Sequence, residues 1–110
     1  MNVIYTEPTV IDRDAAIAIL KAELKARSGK AWSVTGGRGT AWGWIRVVAP
    51  PRRRDGSTMS AEDSADLAKL FRLDSAHDQG ISIPASSAHR TEYIARLRGE
   101  AFTTAQAYWD

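Results

Sequence analysis

Residues 30–48 read K-A-W-S-V-T-G-G-R-G-T-A-W-G-W-I-R-V-V, and this stretch determines the predicted fold. Apolar and polar side chains alternate over 30–35 and again over 40–48, which is the period of a β-strand. Three glycines within 36–39 tolerate the positive φ angles of a tight turn. Two such runs joined by a short glycine loop predict an antiparallel hairpin. Pro50 cannot donate to a strand ladder, so we expect the second strand to end before it.

Helical patterns flank this hairpin on both sides. Before it, apolar residues recur at helical spacing over 12–28, with Asp12 as the N-cap and Gly29 as the stop. After it, Ser60 is typical of the cap of a second helix, and a serine-capped third helix is predicted over about 86–98. We therefore expect three helices.

A short alternating run over 80–84 predicts a third strand. The resulting order is α-β-β-α-β-α, with an additional strand within residues 1–10 left open. Residues 49–59 are rich in proline, arginine and small polar residues, so we expect an exposed loop there. The sequence thus predicts one α+β domain over 1–110, in which a small antiparallel sheet carries the three helices on one side.

The composition is that of a small globular protein, with 110 residues, 44% hydrophobic residues and no cysteine. Without cysteine there is neither a disulfide framework nor a thiolate metal site. No run approaches the roughly 20 apolar residues that a membrane span needs. The first residues lack the basic start and apolar core of a signal peptide. We therefore expect a cytoplasmic protein that has no membrane partner.

The net charge of +2 conceals an uneven distribution of charge. Residues 24–54 contain eight basic residues and no acidic one, whereas the remainder has seven basic and thirteen acidic residues, a balance of −6. The eight basic residues are Lys25, Arg27, Lys30, Arg38, Arg46, Arg52, Arg53 and Arg54. Clustered cations of this kind favour an anionic partner. The alternative is that acidic helices pack beside the basic segment and neutralise it.

Residues that could support catalysis or bind a metal are few. His77 lies in an Asp-x-x-His-Asp run over 74–78, but zinc needs three or four ligands and a solvated loop explains the run better. Ser86 and Ser87 lie close to His89, yet helix capping explains these serines better than a nucleophile and its base. We expect no metal and no cofactor. The pattern favours a protein without catalytic activity, while an enzyme assembled from distant residues stays an alternative.

The basic hairpin is the better candidate for a functional site. The predicted nucleic-acid-binding residues are Lys30, Arg38, Arg46, Arg52, Arg53 and Arg54. Arg38 lies between glycines, so the backbone can approach a phosphate and the guanidinium can bind it with two hydrogen bonds. The strand pattern places Arg46 on one face with Trp42 and Trp44, where the rings could stack on bases. The interpretation that we favour for the two tryptophans is a core position facing the helices.

Residues 12–50 resemble the small accessory domains of large polyvalent proteins, which phages and conjugative elements encode. The resemblance lies in a helix that ends in glycine, the run over 30–35 and the tryptophan-containing strand over 40–48. It implies a bacterial or phage protein that handles DNA or counters host defence. Two functions from different classes follow: a module that binds DNA or RNA, and a protein-interaction or inhibitor domain. The oligomeric state is left open.

Overall fold

The computed structural model describes residues 11–105 and has an α+β architecture. The three helices are α1 (Arg13–Ser28), α2 (Ala61–Leu70) and α3 (Ser87–Arg98). The five strands are β1 (Ser33–Gly36), β2 (Ile45–Val48), β3 (Arg54–Asp55), β4 (Thr58–Met59) and β5 (Ile81–Ile83). The predicted class and the order of the predicted elements are confirmed. The strand left open within residues 1–10 lies outside the described residues.

Strands β1, β2 and β5 form an antiparallel sheet in the order β1-β2-β5. In the central strand, Val47 lies opposite Val34 of β1 and Ile81 of β5, and Ile45 lies opposite Ile83. These five side chains are buried and form the inner face of the sheet. The hairpin predicted from the glycine loop is therefore the centre of the fold, and β5 adds to its second strand.

Strands β3 and β4 form a separate two-stranded hairpin. Arg54 pairs with Met59 and Asp55 pairs with Thr58, while the Thr58 hydroxyl donates to the Asp55 carbonyl at 2.9 Å. The prediction of an exposed loop over 49–59 is wrong at this point, because part of the segment forms this hairpin. The pattern contains Asp-Gly followed by serine, a turn signal that accounts for the hairpin in retrospect.

The second strand of the central hairpin is shorter than predicted. The pattern predicted a strand over 40–48, but β2 begins at Ile45, and Gly39–Ala41 form a turn of 3-10 helix. The Trp42 N–H donates to the Gly39 carbonyl at 3.1 Å and closes this turn. Trp42 is 55% exposed, so the interpretation that it lies in the core is wrong. Trp44 is half-buried.

The three helices begin at the caps that the sequence predicts, and α1 and α3 also end where predicted. The Asp12 carboxylate accepts the Ala15 N–H at the start of α1, and Gly29 ends that helix in the left-handed conformation. The Ser60 hydroxyl caps α2 and the Ser86 hydroxyl caps α3 by accepting a backbone N–H three residues on. Each cap satisfies a donor that the first helical turn leaves unpaired.

The core lies between the helices and the inner face of the sheet, where α1 packs against β1 and α3 against β5. Leu20 and Leu24 of α1, Phe71 after α2, and Ile45 are fully buried in one apolar cluster. Burying one such side chain contributes roughly 1.5–3 kcal/mol relative to leaving it exposed. No helix within residues 11–105 has the length and apolar character needed to cross a bilayer.

Gly80 permits the closest backbone approach to the central strand. Its φ is +105°, and a Cβ built there would collide with the Val47 carbonyl oxygen and lie 2.9 Å from the Val48 Cβ. Gly56 also has a positive φ, +66°, but a Cβ there would meet nothing within 4 Å. Substitution of Gly56 therefore tests backbone strain alone, whereas substitution of Gly80 tests strain and steric collision together.

We expect Gly80→Ala to lower the free energy of unfolding by about 3 kcal/mol, because strain and collision both act. Gly56→Ala, which meets strain alone, should lower it by about 1 kcal/mol. Urea unfolding followed by circular dichroism measures both. Equal losses for the two variants would show that the approach of Gly80 to β2 does not constrain the fold.

An ion pair ties the ends of α1 and α3 together. Arg98 Nε lies 2.8 Å from Glu23 Oε2, and Arg27 Nε lies 3.1 Å from the other carboxylate oxygen. The hydrogen bond from Arg98, supported by that from Arg27, holds the pKa of Glu23 below its ordinary value of 4.5. The folded protein therefore favours the ionised carboxylate.

This lowered pKa makes part of the stability dependent on pH. The contribution is fully present above the ordinary carboxyl pKa and is lost as the pH falls through the lowered one. The difference in Tm between the natural protein and Glu23→Gln should be largest at neutral pH and should shrink in acid. Thermal melts across the acid range measure it. In an Arg98→Gln background, the same Glu23 substitution should have a smaller effect at neutral pH.

Candidate nucleic-acid interface

The segment 37–44, here called the glycine loop, joins β1 to β2 and is held by an arginine of α1. Arg13 Nη1 donates to the Gly37 carbonyl at 3.2 Å and to the Trp42 carbonyl at 3.0 Å. The guanidinium carbon of Arg13 lies 3.9 Å from the centroid of the Trp42 ring, a cation–π contact. Arg13 therefore holds both ends of the turn and one ring face.

A second arginine, from α3, binds the glycine loop near its C-terminal end. Arg90 Nη2 donates to the Gly43 carbonyl at 2.7 Å, and Arg90 Nη1 donates to the Ile11 carbonyl at 3.0 Å. Gly43 packs so closely that a Cβ there would lie 2.6 Å from the Ala85 Cβ. The loop is thus fixed by contacts with both helices, despite its glycine content.

Arg38 lies in the exposed part of this loop. Its side chain forms no hydrogen bond or ion pair with any residue in the described range 11–105. It is flanked by Gly37 and Gly39, which present no side chains beside it. The guanidinium is therefore accessible to an anion, as the sequence predicted for this position.

The outer face of the three-stranded sheet, opposite the helices, is polar at the end next to the glycine loop. Thr35, Arg46 and Ser82 are register neighbours across β1, β2 and β5. Together with Trp44 they define what we call the open face. These four residues line a depression of about 300 Å³ whose remaining lining residues are Gly36, Gly37 and Ile45. No carboxylate is among these lining residues, so Arg46 gives the depression a positive charge.

Arg46 is anchored on the open face by one carbonyl. Its Nε and Nη2 donate to the Gln79 carbonyl at 2.9 and 2.7 Å, which points the guanidinium across the edge of β5. Its Nη1 has no hydrogen-bond partner within the described part of the chain. The anchor therefore fixes the position of the cation and leaves donors for an additional ligand.

The basic residues at the opposite end of the hairpin are engaged with α2. Lys30 Nζ lies 2.7 Å from Asp66 Oδ2 and 3.3 Å from Asp63 Oδ1, and hydrogen bonds to Asp66 and Asp63 raise the lysine pKa. Arg53 Nε lies 3.2 Å from the second oxygen of Asp63, and its Nη1 donates to the Ala31 carbonyl at 2.9 Å. Asp63 is 5% exposed and pairs with both cations. Here the acidic helix neutralises two cations of the basic segment, in line with the alternative interpretation of its charge.

Besides its ion pair, Arg53 lies over Trp32, with 4.9 Å from its guanidinium carbon to the ring centroid.

The other two arginines at this end, Arg52 and Arg54, differ in their contacts. Arg54 Nε donates to the Ala49 carbonyl at 2.7 Å, a contact that supports β3. Arg52 is exposed and has no ion pair or hydrogen bond within residues 11–105. Of the three consecutive arginines, Arg52 alone thus presents a fully accessible guanidinium.

The hairpin separates the predicted binding residues into two groups. Arg38 and Arg46 belong to the glycine loop and the open face, whereas Lys30 and Arg52–Arg54 lie beyond the opposite ends of β1 and β2. Four strand residues at about 3.3 Å each place roughly 13 Å between these ends. The six residues therefore do not form one cluster.

The residues considered for catalysis bond to neighbours one to three positions away in the chain. Ser86 Oγ lies 2.7 Å from His89 Nδ1 and also accepts the His89 N–H, which is the geometry of the α3 cap. His77 Nδ1 accepts the Gln79 N–H at 3.0 Å and lies 3.2 Å from Asp78 Oδ1, at an exposed turn. Within the described residues, no group of three or more histidines and carboxylates could hold a metal ion.

Sequence reasoning missed the two arginines that fix the glycine loop. Arg13 carried one signal: a cation in the first turn of a helix opposes the helix dipole, so another contact must compensate it. Arg90 carried no comparable signal, since its carbonyl partner Gly43 lies 47 residues away in the chain.

No family model, curated protein or solved structure matches this chain. The resemblance of residues 12–50 to accessory domains of polyvalent proteins therefore stays a prediction.

Asp63 allows a test of how the basic segment is neutralised. We expect Asp63→Asn to lower the free energy of unfolding by about 2 kcal/mol, because it leaves Lys30 and Arg53 without their shared buried carboxylate. Asp66→Asn is the matched control: within residues 11–105 this exposed carboxylate pairs with Lys30 alone, and the loss should be about 0.5 kcal/mol or less. Urea unfolding of both variants measures the two losses of free energy. A loss for Asp66→Asn as large as that for Asp63→Asn would contradict the central role of Asp63.

Proposed function

We propose that this chain is a nucleic-acid-binding module that contacts its ligand through the glycine loop and the open face. One observation carries the proposal: Arg46 lies beside Trp44 in a depression that has no carboxylate in its lining, and the adjoining glycine loop carries the exposed Arg38. Arginine donors that bind phosphate beside an aromatic ring are the usual elements of such interfaces. The proposal involves no metal and no cofactor.

Arg38 and Arg46 have complementary roles in this proposal. Arg38 is unpaired within the described residues and lies between glycines, so a phosphate can approach both its side chain and the neighbouring backbone. Arg46 is already oriented by the Gln79 carbonyl, so little conformational entropy is lost when its free donors bind. A polyanion that follows the sheet from the loop would meet one and then the other.

The second group of cations contributes less to binding in this proposal. Asp63 and Asp66 already neutralise Lys30 and Arg53, and Arg54 donates to a carbonyl. Of this group, Arg52 is the residue that we expect to contact phosphate, because it is exposed and unpaired among the described residues. The others shape the local potential and support the fold.

A protein-interaction or inhibitor domain is the second candidate function. The exposure of Trp42 favours it, since exposed tryptophans are common anchors of protein interfaces. The proposed setting is the cytoplasm, where a chain without cysteine needs no oxidising compartment. Origin from a phage or conjugative element rests on the resemblance of residues 12–50 alone.

The salt dependence of binding tests the proposed function. A fluorescein-labelled oligothymidylate of about 20 nucleotides, or a duplex of the same length, should bind at about 50 mM salt and dissociate as the salt concentration rises. Arg38→Gln and Arg46→Gln should each reduce the slope of log K against log salt by about 0.7 for a single strand, because one phosphate contact is lost. Fluorescence anisotropy over a salt series measures the slope.

Lys21→Gln is the matched control for these variants. Lys21 is exposed on α1, away from the hairpin in sequence, and its substitution removes the same unit of charge. The slope should stay as in the natural protein. Absence of binding to the single strand and to the duplex, each tested as DNA and as RNA at about 50 mM salt, would overturn the proposed function and leave the protein-interaction candidate.

A further inference from the structure

We infer that the nucleic acid is single-stranded and that an unpaired base stacks on the outward face of Trp42, which Arg13 holds in place. This inference rests on the proposed function and specifies its ligand. It uses a residue outside the predicted binding set, together with the positioning contact that fixes it.

Among residues 11–105, Trp42 is the large apolar residue that the fold leaves in water. It is 55% exposed, whereas the apolar residues of the core cluster are buried. The Arg13 guanidinium covers one ring face at 3.9 Å from the centroid. A ring that is covered on one face and still more than half exposed presents its other face to solvent. Every base has a flat face that can stack on such a ring.

The backbone of Trp42 is fixed on both sides of the residue. Its N–H donates to the Gly39 carbonyl at 3.1 Å, and its carbonyl accepts from Arg13 Nη1 at 3.0 Å. Arg13 itself is mostly buried and is also bonded to the Gly37 carbonyl. The ring is therefore oriented before a ligand arrives, which reduces the entropy lost on binding.

Arg38 lies at the other end of the same turn. The turn Gly39–Ala41 separates it from Trp42, and the hydrogen bond between Trp42 and Gly39 brings the ends of the turn together. One loop thus offers a ring on which a base can stack and, one turn away, a guanidinium that can donate hydrogen bonds to a phosphate. A nucleotide strand carries both matching groups, a flat base and an adjacent phosphate.

The need for an open base face selects single strands. In a duplex the faces of the bases are stacked on one another, so a ring can reach them only after unstacking. The phosphates of a duplex remain available to Arg38 and Arg46. We therefore expect duplexes to bind through charge alone and single strands to gain the additional stacking contact.

The test compares three labelled probes of about 20 nucleotides: oligothymidylate, a duplex, and a strand of abasic sugar-phosphate units. The natural protein should bind oligothymidylate, or oligouridylate if RNA is the ligand, about tenfold more tightly than the duplex or the abasic strand. Trp42→Ala should abolish this preference by weakening single-strand binding about tenfold, with duplex and abasic binding changed by less than about twofold. Trp42→Phe, which keeps a flat ring, should retain most of the preference.

Trp42→Leu provides a second variant that keeps apolar volume but has no ring, and it should lose the preference as Trp42→Ala does. Circular dichroism verifies that the variants fold. If the natural protein binds all three probes equally, or if Trp42→Phe loses as much as Trp42→Leu, stacking on Trp42 is overturned while the proposed function stands. If none of the probes binds at about 50 mM salt, the proposed function itself fails, and a protein partner for Trp42 becomes the remaining candidate.

Discussion

Burial of the central strand β2 is the constraint on which the rest of the structure depends. Ile45 and Val47 are fully buried, and β2 pairs with a strand on each side. Since side chains alternate along a strand, directing these two toward the helices directs Arg46 to the opposite face. A shift of register by one residue would place the arginine in the core. The open face is therefore a consequence of how the core is formed.

The same packing explains why the glycine loop has a defined shape. With α1 and α3 against the inner face, Arg13 and Arg90 reach the loop carbonyls from two sides. Gly36 allows this approach, because a Cβ there would lie 2.5 Å from Arg13 Nη1. Glycine here allows close contact between backbone and side chain, which fixes the loop rather than loosening it.

Charge is distributed by the same architecture. The acidic residues of α2 face the end of the hairpin that carries Lys30 and Arg53, and Asp63 pairs with both. No carboxylate takes the corresponding position at the open-face depression. Lys30 and Arg53 are therefore neutralised at one end of the hairpin, whereas Arg38 and Arg46, at the other, have no carboxylate partner in the range that the structure describes. A sum of charges along the chain could not distinguish these two ends, because the neutralising carboxylates come from residues 10 to 36 positions away.

The sequence by itself determined the elements whose signals are local: the capped helices, the glycine turn, the third strand and the α+β class. Capping and strand alternation depend on neighbouring residues, so they can be recognised without the fold. The alternation through Trp42 and Trp44 made the predicted strand too long. The same alternation occurs in a loop whose shape is fixed by Arg13 and Arg90, two residues distant in the chain. Only the tertiary structure decided which cations stay accessible and that Trp42 faces solvent, since both depend on contacts between residues far apart in the chain.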